Sequence, residues 1–357
     1  MNAAPSRLAE QTLMFEEAAD ASNAVRAQRR HAADMAAVGA ALRKLQPRAV
    51  ITCARGSSDH SATYAKYLIE THAQVLTASA APSVSSLYGV TPDVRGCLFI
   101  AISQSGRSPD LLASVASAKA SGATILALCN SADSPLMAAA DLVVELRAGV
   151  ENSVAATKSY LASLAAIAGV VAAWTRDAVL EAQLEQLPGL MDKSWSLDWS
   201  TALPELESAQ NLYVVGRGLG LGAAQEIALK CKETCALHAE AFSSAELRHG
   251  PYTLLRKGFP ALLVAQADAT RAGIETLARE LAHRGVPILL AGASAGASAG
   301  ANADAAGVTL LPSIGAAAEI APILLVLAAY RMIATLAVRR GLDPDRPPHL
   351  CKITETV

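Results

Sequence analysis

Short apolar blocks alternate with longer stretches of helical period along most of this chain. Apolar positions at Met14, Phe15, Ala18 and Ala19, then at Met35, Val38, Leu42 and Leu45, recur at helical spacing over residues 8–45, and Pro47 stops them. A first strand is predicted at Ala49 to Ala54, ending in Arg55-Gly56-Ser57-Ser58, with a helix following through Ala65 to Ile69. A short extended piece near Val75 to Ala78, strands at Cys97 to Ile102, Thr124 to Leu128 and Leu142 to Leu146, and a helix over Asp110 to Ala120 complete this half. The scheme then repeats: Leu212 to Val215 running into Gly216-Arg217-Gly218, a strand over Pro260 to Ala265, a helix over Thr270 to His283, and a strand over Val286 to Leu290. Such alternation marks βαβ units and parallel sheets.

The Arg-Gly pairs at 55–56 and 217–218 lie 162 positions apart, which points to an internal duplication. The pattern divides the chain into an N-terminal helical segment (1–45), a first α/β domain (46–180), a helical connector (181–205), a second α/β domain (206–340) and a tail (341–357) that Pro344, Pro347 and Pro348 keep irregular. Each domain is expected to be a doubly wound, three-layer αβα sandwich. The apolar runs Leu161 to Trp174 and Ile320 to Val338 read as buried helices, the second interrupted by Pro322 and Arg331. Ala291 to Gly300, AGASAGASAG, reads as a low-complexity surface loop.

Composition narrows the function classes. Charged residues are 17% of the chain and the net charge is -2, so no nucleic-acid surface is advertised and an anionic ligand must be held locally. Six cysteines without a CxxC pair suit buried thiols in a reducing compartment, and the first twenty residues carry four acidic side chains and no apolar signal core, so a cytoplasmic protein is expected. Cys231, Cys235 and His238 could suggest a metal site, but no second ligand pair follows.

Three stretches carry candidate chemistry. The first runs from Gly216 to Pro251: after a glycine-rich turn, Glu226, Lys230 and Glu233 recur at i, i+4 and i+7 on one helix face. Read alone it is either a solvated, ion-paired face or a reacting cluster at the carboxyl edge of a parallel sheet. In the second, Ser103-Gln104-Ser105-Gly106-Arg107-Ser108, hydroxyls, an amide and a helix N-terminus converge after a strand, which makes a phosphate cradle or a turn that only caps its helix. Ser57 and Ser58, on the matching turn of the first strand, strengthen the phosphate reading. The third, Glu151 to Ser159, precedes an apolar helix, with Ser153 or Thr157 as possible caps.

Taken in order, Gly56-Ser57-Ser58, Ser103-Gln104-Ser105-Gly106, Val154-Ala155-Ala156-Thr157-Lys158, Glu226 to Glu233, His238-Ala239-Glu240-Ala241 and Glu246-Leu247-Arg248-His249-Gly250-Pro251 resemble the sugar isomerase (SIS) domain proteins. The resemblance covers nearly the whole chain. It is nearest to the isomerase half of glucosamine-6-phosphate synthase and to stand-alone glucosamine-6-phosphate deaminases. It implies two tandem SIS domains in a homodimer with shared sites. It further implies that Ser57, Ser58, Ser103, Gln104, Ser105 and Ser108 hold the phosphate of a hexosamine 6-phosphate, and that Val154, Ala155 and Cys351 line the sugar. Glu233 would shuttle a proton between C1 and C2, with Lys230 beside it. His249 would open the ring and reach a neighbouring subunit's site, and Lys352 matches a lysine near the end of the family's tail.

The residue types suit that chemistry. One carboxylate can serve both carbons of an aldose-ketose conversion through an enediol-like intermediate, and a histidine of ordinary pKa ~6.5 can move protons at O1 and the ring oxygen. No metal or organic cofactor is required. Two departures from the synthase are Arg55 in place of a cysteine and Arg107 in place of an acidic residue; a third is a start, Met1-Asn2-Ala3, without the synthase's glutaminase nucleophile. The expectation is therefore hydrolytic deamination of D-glucosamine 6-phosphate to D-fructose 6-phosphate and ammonia. The alternatives are a deaminase or deglycase of another amino-sugar phosphate and a non-catalytic sugar-phosphate sensor. Neither a nucleic acid nor a membrane is expected as a partner.

Overall fold

The computed structural model describes residues 8–294 and 307–352. Along the first half of the chain run α1 (Leu13–Ala19), α2 (Ala21–Arg30), α3 (Ala32–Leu45), β1 (Val50–Cys53), α4 (Ser57–His72), β2 (Thr77–Ser79), α5 (Pro82–Ser86), β3 (Leu98–Ser103), α6 (Pro109–Ala120), β4 (Thr124–Cys129), α7 (Pro135–Ala139), β5 (Leu142–Glu145) and α8 (Lys158–Thr175). The second half holds α9 (Ala178–Trp195), α10 (Leu203–Glu207), β6 (Asn211–Gly216), α11 (Gly220–Cys235), β7 (His238–Ser243), β8 (Ala261–Val264), α12 (Arg271–His283), β9 (Ile288–Ser294), β10 (Val308–Ser313) and α13 (Ala321–Arg339).

Two compact units result, both discontinuous in sequence. One gathers Ala21–Glu151, Lys158–Pro188 and Cys351–Val357; the other gathers Met1–Asp20, Asn152–Thr157 and Gly189–Leu350. The division falls inside α9, after Pro188, the one proline within that helix.

The first unit holds a five-stranded parallel sheet in the order β2-β1-β3-β4-β5. Every residue of β3 is buried, because helices cover both faces of the sheet. Leu111, Val115 and Ala118 of α6 pack on Phe99, Ala101, Ile125 and Ala127 on one side, while α8, with α3 and α4 against it, forms the opposite layer. The second unit repeats the arrangement with β7-β6-β8-β9-β10, again all parallel. There Ile274, Leu277 and Leu281 of α12 pack on Tyr213, Val215, Ala261 and Leu263, and α11 and α13 pack together. Both units are three-layer α/β sandwiches. Fully burying a side chain such as Leu263, which has no exposed surface, contributes about 1.5–3 kcal/mol.

The helices α8 and α13 are long and apolar enough to cross a membrane by composition, but 89% and 83% of their apolar windows are buried inside the protein. They are core helices, apolar on all sides because each is enclosed.

Three local readings of the sequence change. Ala291 to Ser294, read as the start of a loop, instead extend β9 alongside β10. A side chain at Gly292 would collide with the carbonyl of Ala265, and the residue's φ is 104°, so the small residues there answer to a close backbone approach. The rest of that stretch, 295–300, lies outside the described residues. Strands β7 and β10, absent from the reading of the sequence, form the two edges of the second sheet.

Irregular chain is fixed by carboxylates. In the second unit, Asp345, only 4% exposed, accepts from the N–H of Leu13 (2.9 Å) and of Met14 (2.8 Å), capping α1. Glu17 of the same helix accepts from the N–H groups of Asn152 and Ser153, and the Asp345 carbonyl accepts from the Val154 N–H at 3.3 Å. Replacing Asp345 by Ala removes a charged acceptor from one buried and one partly buried amide and should cost about 1.5–3 kcal/mol, read as a lowered urea midpoint; an unchanged midpoint would show that α1 is held by apolar contacts alone.

Candidate active site

The sheet order of the first unit reverses direction between β1 and β3, and the turns that leave these two strands flank the crevice where ligands bind in such folds. Ser57 and Ser58 open α4 after β1, and Ser103 to Ser108 join β3 to α6. All six predicted phosphate-binding residues therefore lie on the two turns beside one switch point.

The second of these turns is pinned from behind. Ser103 Oγ accepts from the Gly106 N–H at 2.9 Å, and the Gly106 carbonyl accepts from Leu136 N–H at 3.2 Å. Gly106 has φ 65°, and a Cβ there would press on Ser134 and come 2.8 Å from Cys129 Sγ, so only glycine fits. Ser108 precedes the first turn of α6 without its hydroxyl making a capping bond. The positive end of a twelve-residue helix thus faces the turn. Arg55 adds charge: its guanidinium, half exposed, binds the buried Asp110 carboxylate at 2.7 and 2.8 Å. Arg107 is exposed. Burial pushes the Cys53 thiol behind β1 up to about 11 and raises that of Cys129, so both stay neutral packing groups.

The matching turn of the second unit differs. At the same 162-residue spacing, Ala265, Gln266, Ala267, Asp268 and Thr270 replace Ser103, Gln104, Ser105, Gly106 and Ser108. Asp268 Oδ1 accepts from Thr270 N–H at 2.8 Å, and its Oδ2 accepts from Gln266 Nε2 at 3.0 Å. A carboxylate of the chain itself caps this turn, whereas the first unit's turn has serine hydroxyls and a glycine at the corresponding positions.

The second unit carries the acid-base cluster. Lys230 is entirely buried on α11. Its ammonium binds Glu233 Oε2, three residues on, and lies 3.5 Å from Oε1 of Glu226, four residues back. Glu226 is likewise fully buried and accepts from the Tyr330 hydroxyl of α13 at 2.8 Å. The reading of this face as solvated is therefore overturned at Glu226 and Lys230. Only Glu233, its side chain 21% exposed, opens to the outside. Helical spacing was visible in the sequence, but nothing there announced the burial of Glu226 or its bond to Tyr330, 104 residues away.

His249 ends a single-turn helix, Glu246–His249, and is exposed; Gly250 after it takes φ 142°, which shapes the turn before Pro251. Ala155 is buried and Val154 partly buried, both on the loop that Glu17 and Asp345 hold. In the first unit, Cys351 is exposed, and the Lys352 ammonium binds Glu151 Oε2 at 3.1 Å. Neither Ser153 nor Thr157 is seen to cap α8; the Glu151 carboxylate takes the Ser159 N–H at 3.1 Å. Cys231 and Cys235 are buried with thiols raised by desolvation, while exposed His238 turns to Asn211, 3.0 Å away. Among the described residues no cluster suited to a metal ion occurs.

Fold and site together define an α/β protein with a serine-containing turn at a helix N-terminus and a buried Glu-Lys-Glu cluster on duplicated scaffolds. The SIS domain family matches residues 45–173 and 205–339, and the chain belongs to that family of sugar-phosphate isomerase domains. It is 34% identical over 319 residues to the isomerizing glutamine–fructose-6-phosphate aminotransferase of Legionella pneumophila, a match covering 85% of this chain and 50% of that protein. The chain thus spans about half the length of the curated relatives it matches. The C-terminal domain of glucosamine-fructose-6-phosphate aminotransferase from Francisella tularensis superposes with TM-score 0.83 at 26% identity, covering 94% of this chain and 98% of that one. Glucosamine-6-phosphate deaminase from Thermotoga maritima shares the fold, with TM-score 0.73 at 19% identity over 97% of this chain and all of that one.

Removing the Lys230 charge alone should be severe. Lys230→Met leaves Glu226 buried without its ammonium and should cost about 3–5 kcal/mol, whereas adding Glu226→Gln should recover much of it. Equal denaturation midpoints for the single and double variants would show that the two charges are not coupled.

Proposed function

We propose that this chain is an isomerising deaminase of amino-sugar phosphates, converting D-glucosamine 6-phosphate and water to D-fructose 6-phosphate and ammonia. The observation that carries the reading is the half-open Glu233 carboxylate fixed by a buried Lys230. A base that moves one proton between adjacent carbons needs one firmly held edge and one edge open to substrate. The serine-lined turn beside Arg55 supplies the complementary demand, a phosphate grip.

In this mechanism Ser57, Ser58, Ser103, Gln104, Ser105 and Ser108 hold the phosphate, and Val154, Ala155 and Cys351 line the sugar. His249 opens the pyranose by moving protons at O1 and the ring oxygen. Glu233 takes the proton from C2 and returns it to C1, which converts the C2 amine to an imine, and Lys230 steadies charge developing on oxygen. Water adds to C2 of the imine and ammonia leaves, giving the ketone. Exposed His249 suits a homodimer in which it serves a second copy's site, and six free thiols suit the cytoplasm.

Purified protein given D-glucosamine 6-phosphate should release ammonia and D-fructose 6-phosphate in equal amounts. Glu233→Gln should lose about 10²–10⁴-fold in kcat while still binding the sugar phosphate; full turnover in that variant would remove Glu233 from the chemistry. Arg55, in place of a cysteine next to the cradle, favours testing galactosamine 6-phosphate and fructosyl-amine 6-phosphates alongside, and binding of all three without turnover would make the protein a sensor.

A further inference from the structure

Residues 343–352 contain no helix or strand, and Leu350 and Cys351 are exposed, so apolar burial gives this end of the segment little to rest on. At Lys352 it is tied to Glu151. That carboxylate is fully buried and has its geometry set by a rigid element: Oε1 accepts from the Ser159 N–H at 3.1 Å and Oε2 from Ser159 Oγ at 2.7 Å, in the first turn of the eighteen-residue α8. Oε2 also receives the Lys352 ammonium, at 3.1 Å. The Lys352 side chain keeps 27% of its surface. The side chain is thus mostly covered but not sealed.

We infer that Glu151 is a positioning residue: it docks the Cys351-Lys352 segment on the start of α8 and fixes where the Lys352 amine meets an amino-sugar phosphate. The anchor is well made for this purpose. A carboxylate at a helix N-terminus is stabilised by the helix dipole and by two donors that do not move, so it takes its orientation from α8 rather than from the lysine. The flexible partner is then ordered by the rigid one. The inference rests on the deaminase reading for its substrate, while the docking itself stands on the geometry of Glu151, Ser159 and Lys352.

A double-mutant cycle tests it. Glu151→Gln keeps a side chain that still accepts from Ser159 and removes the charge that draws Lys352. In D-glucosamine 6-phosphate deamination it should lower kcat by about tenfold or more with KM little changed, and in a Lys352→Met background it should cause no further loss. Ser159→Ala, which removes one donor to Glu151 but neither charge and leaves the Ser159 N–H in place, should lose less than Glu151→Gln. Losses that add in the double variant, or a Ser159→Ala defect equal to that of Glu151→Gln, would assign Glu151 to capping α8 and overturn the inference. A second readout needs no turnover: a fluorophore on Cys351, the exposed member of six cysteines, should show lower anisotropy in Glu151→Gln and in Lys352→Met. Unchanged anisotropy in both defeats the docking. Lower anisotropy in both variants, with a parent chain that deaminates none of the amino-sugar phosphates, defeats the deaminase reading and keeps the anchor.

Discussion

The buried ammonium of Lys230 constrains the second unit more than any other group. Removing such a charge from water costs several kcal/mol unless carboxylates meet it at close range, and α11 meets the demand within its own helix, at the i−4 and i+3 positions. This fixes the rotation of α11 about its axis, because Glu226 must face the Tyr330 hydroxyl of α13 while Glu233 stays at the edge of the core. The result is graded exposure along one helical face, from a sealed carboxylate through a sealed ammonium to a carboxylate with one side open. The three side chains act as one unit: the pair that would be costly alone holds the third in place.

Duplication explains the scaffold and also shows where function departs from it. The two sheets share one strand order, with corresponding turns 162 residues apart. Yet Ser103, Ser105 and Gly106 correspond to Ala265, Ala267 and Asp268, and Asp268 satisfies its own turn. The first turn therefore joins hydroxyls to a helix N-terminus, whereas the second is closed by a side chain of its own. One fold thus supports two different turns at corresponding switch points, and the residues at the turn set the difference.

The sequence was most legible where burial is complete. Apolar runs marked β1, β3, β4, β6 and β8, and the apolar stretches of α8 and α13 stood out, because strands and helices covered on all sides contain little else. The edges were illegible for the converse reason. In β7, His238 and Glu240 face outward in an edge strand and break any apolar run, and in β10 the short run Val308-Thr309-Leu310-Leu311 is cut by Pro312 and follows a glycine- and alanine-rich stretch. Gly292 hid a strand because its missing side chain, a packing requirement against Ala265, looks like low complexity. At the site, the Ser turn and the Glu-Lys-Glu spacing were readable as local patterns. The bonds of Glu226 to Tyr330 and of Glu151 to Lys352 span 104 and 201 residues, and no local pattern encodes them.

The irregular segments point to a general division of labour in this chain. Apolar area orders the sheets and their covering helices, but the loop at 152–154 and the residues beyond Gly341 offer little of it, and ordering a backbone costs about 1–2 kcal/mol per residue. Glu17 and Asp345 in one unit, and Glu151 in the other, offset that cost with charge-assisted bonds concentrated at a few points. Anchors of this kind hold position without filling volume. A segment fixed by apolar burial must hide its side chains, whereas one fixed through a carboxylate can keep Val154, Cys351 and Lys352 at least partly open.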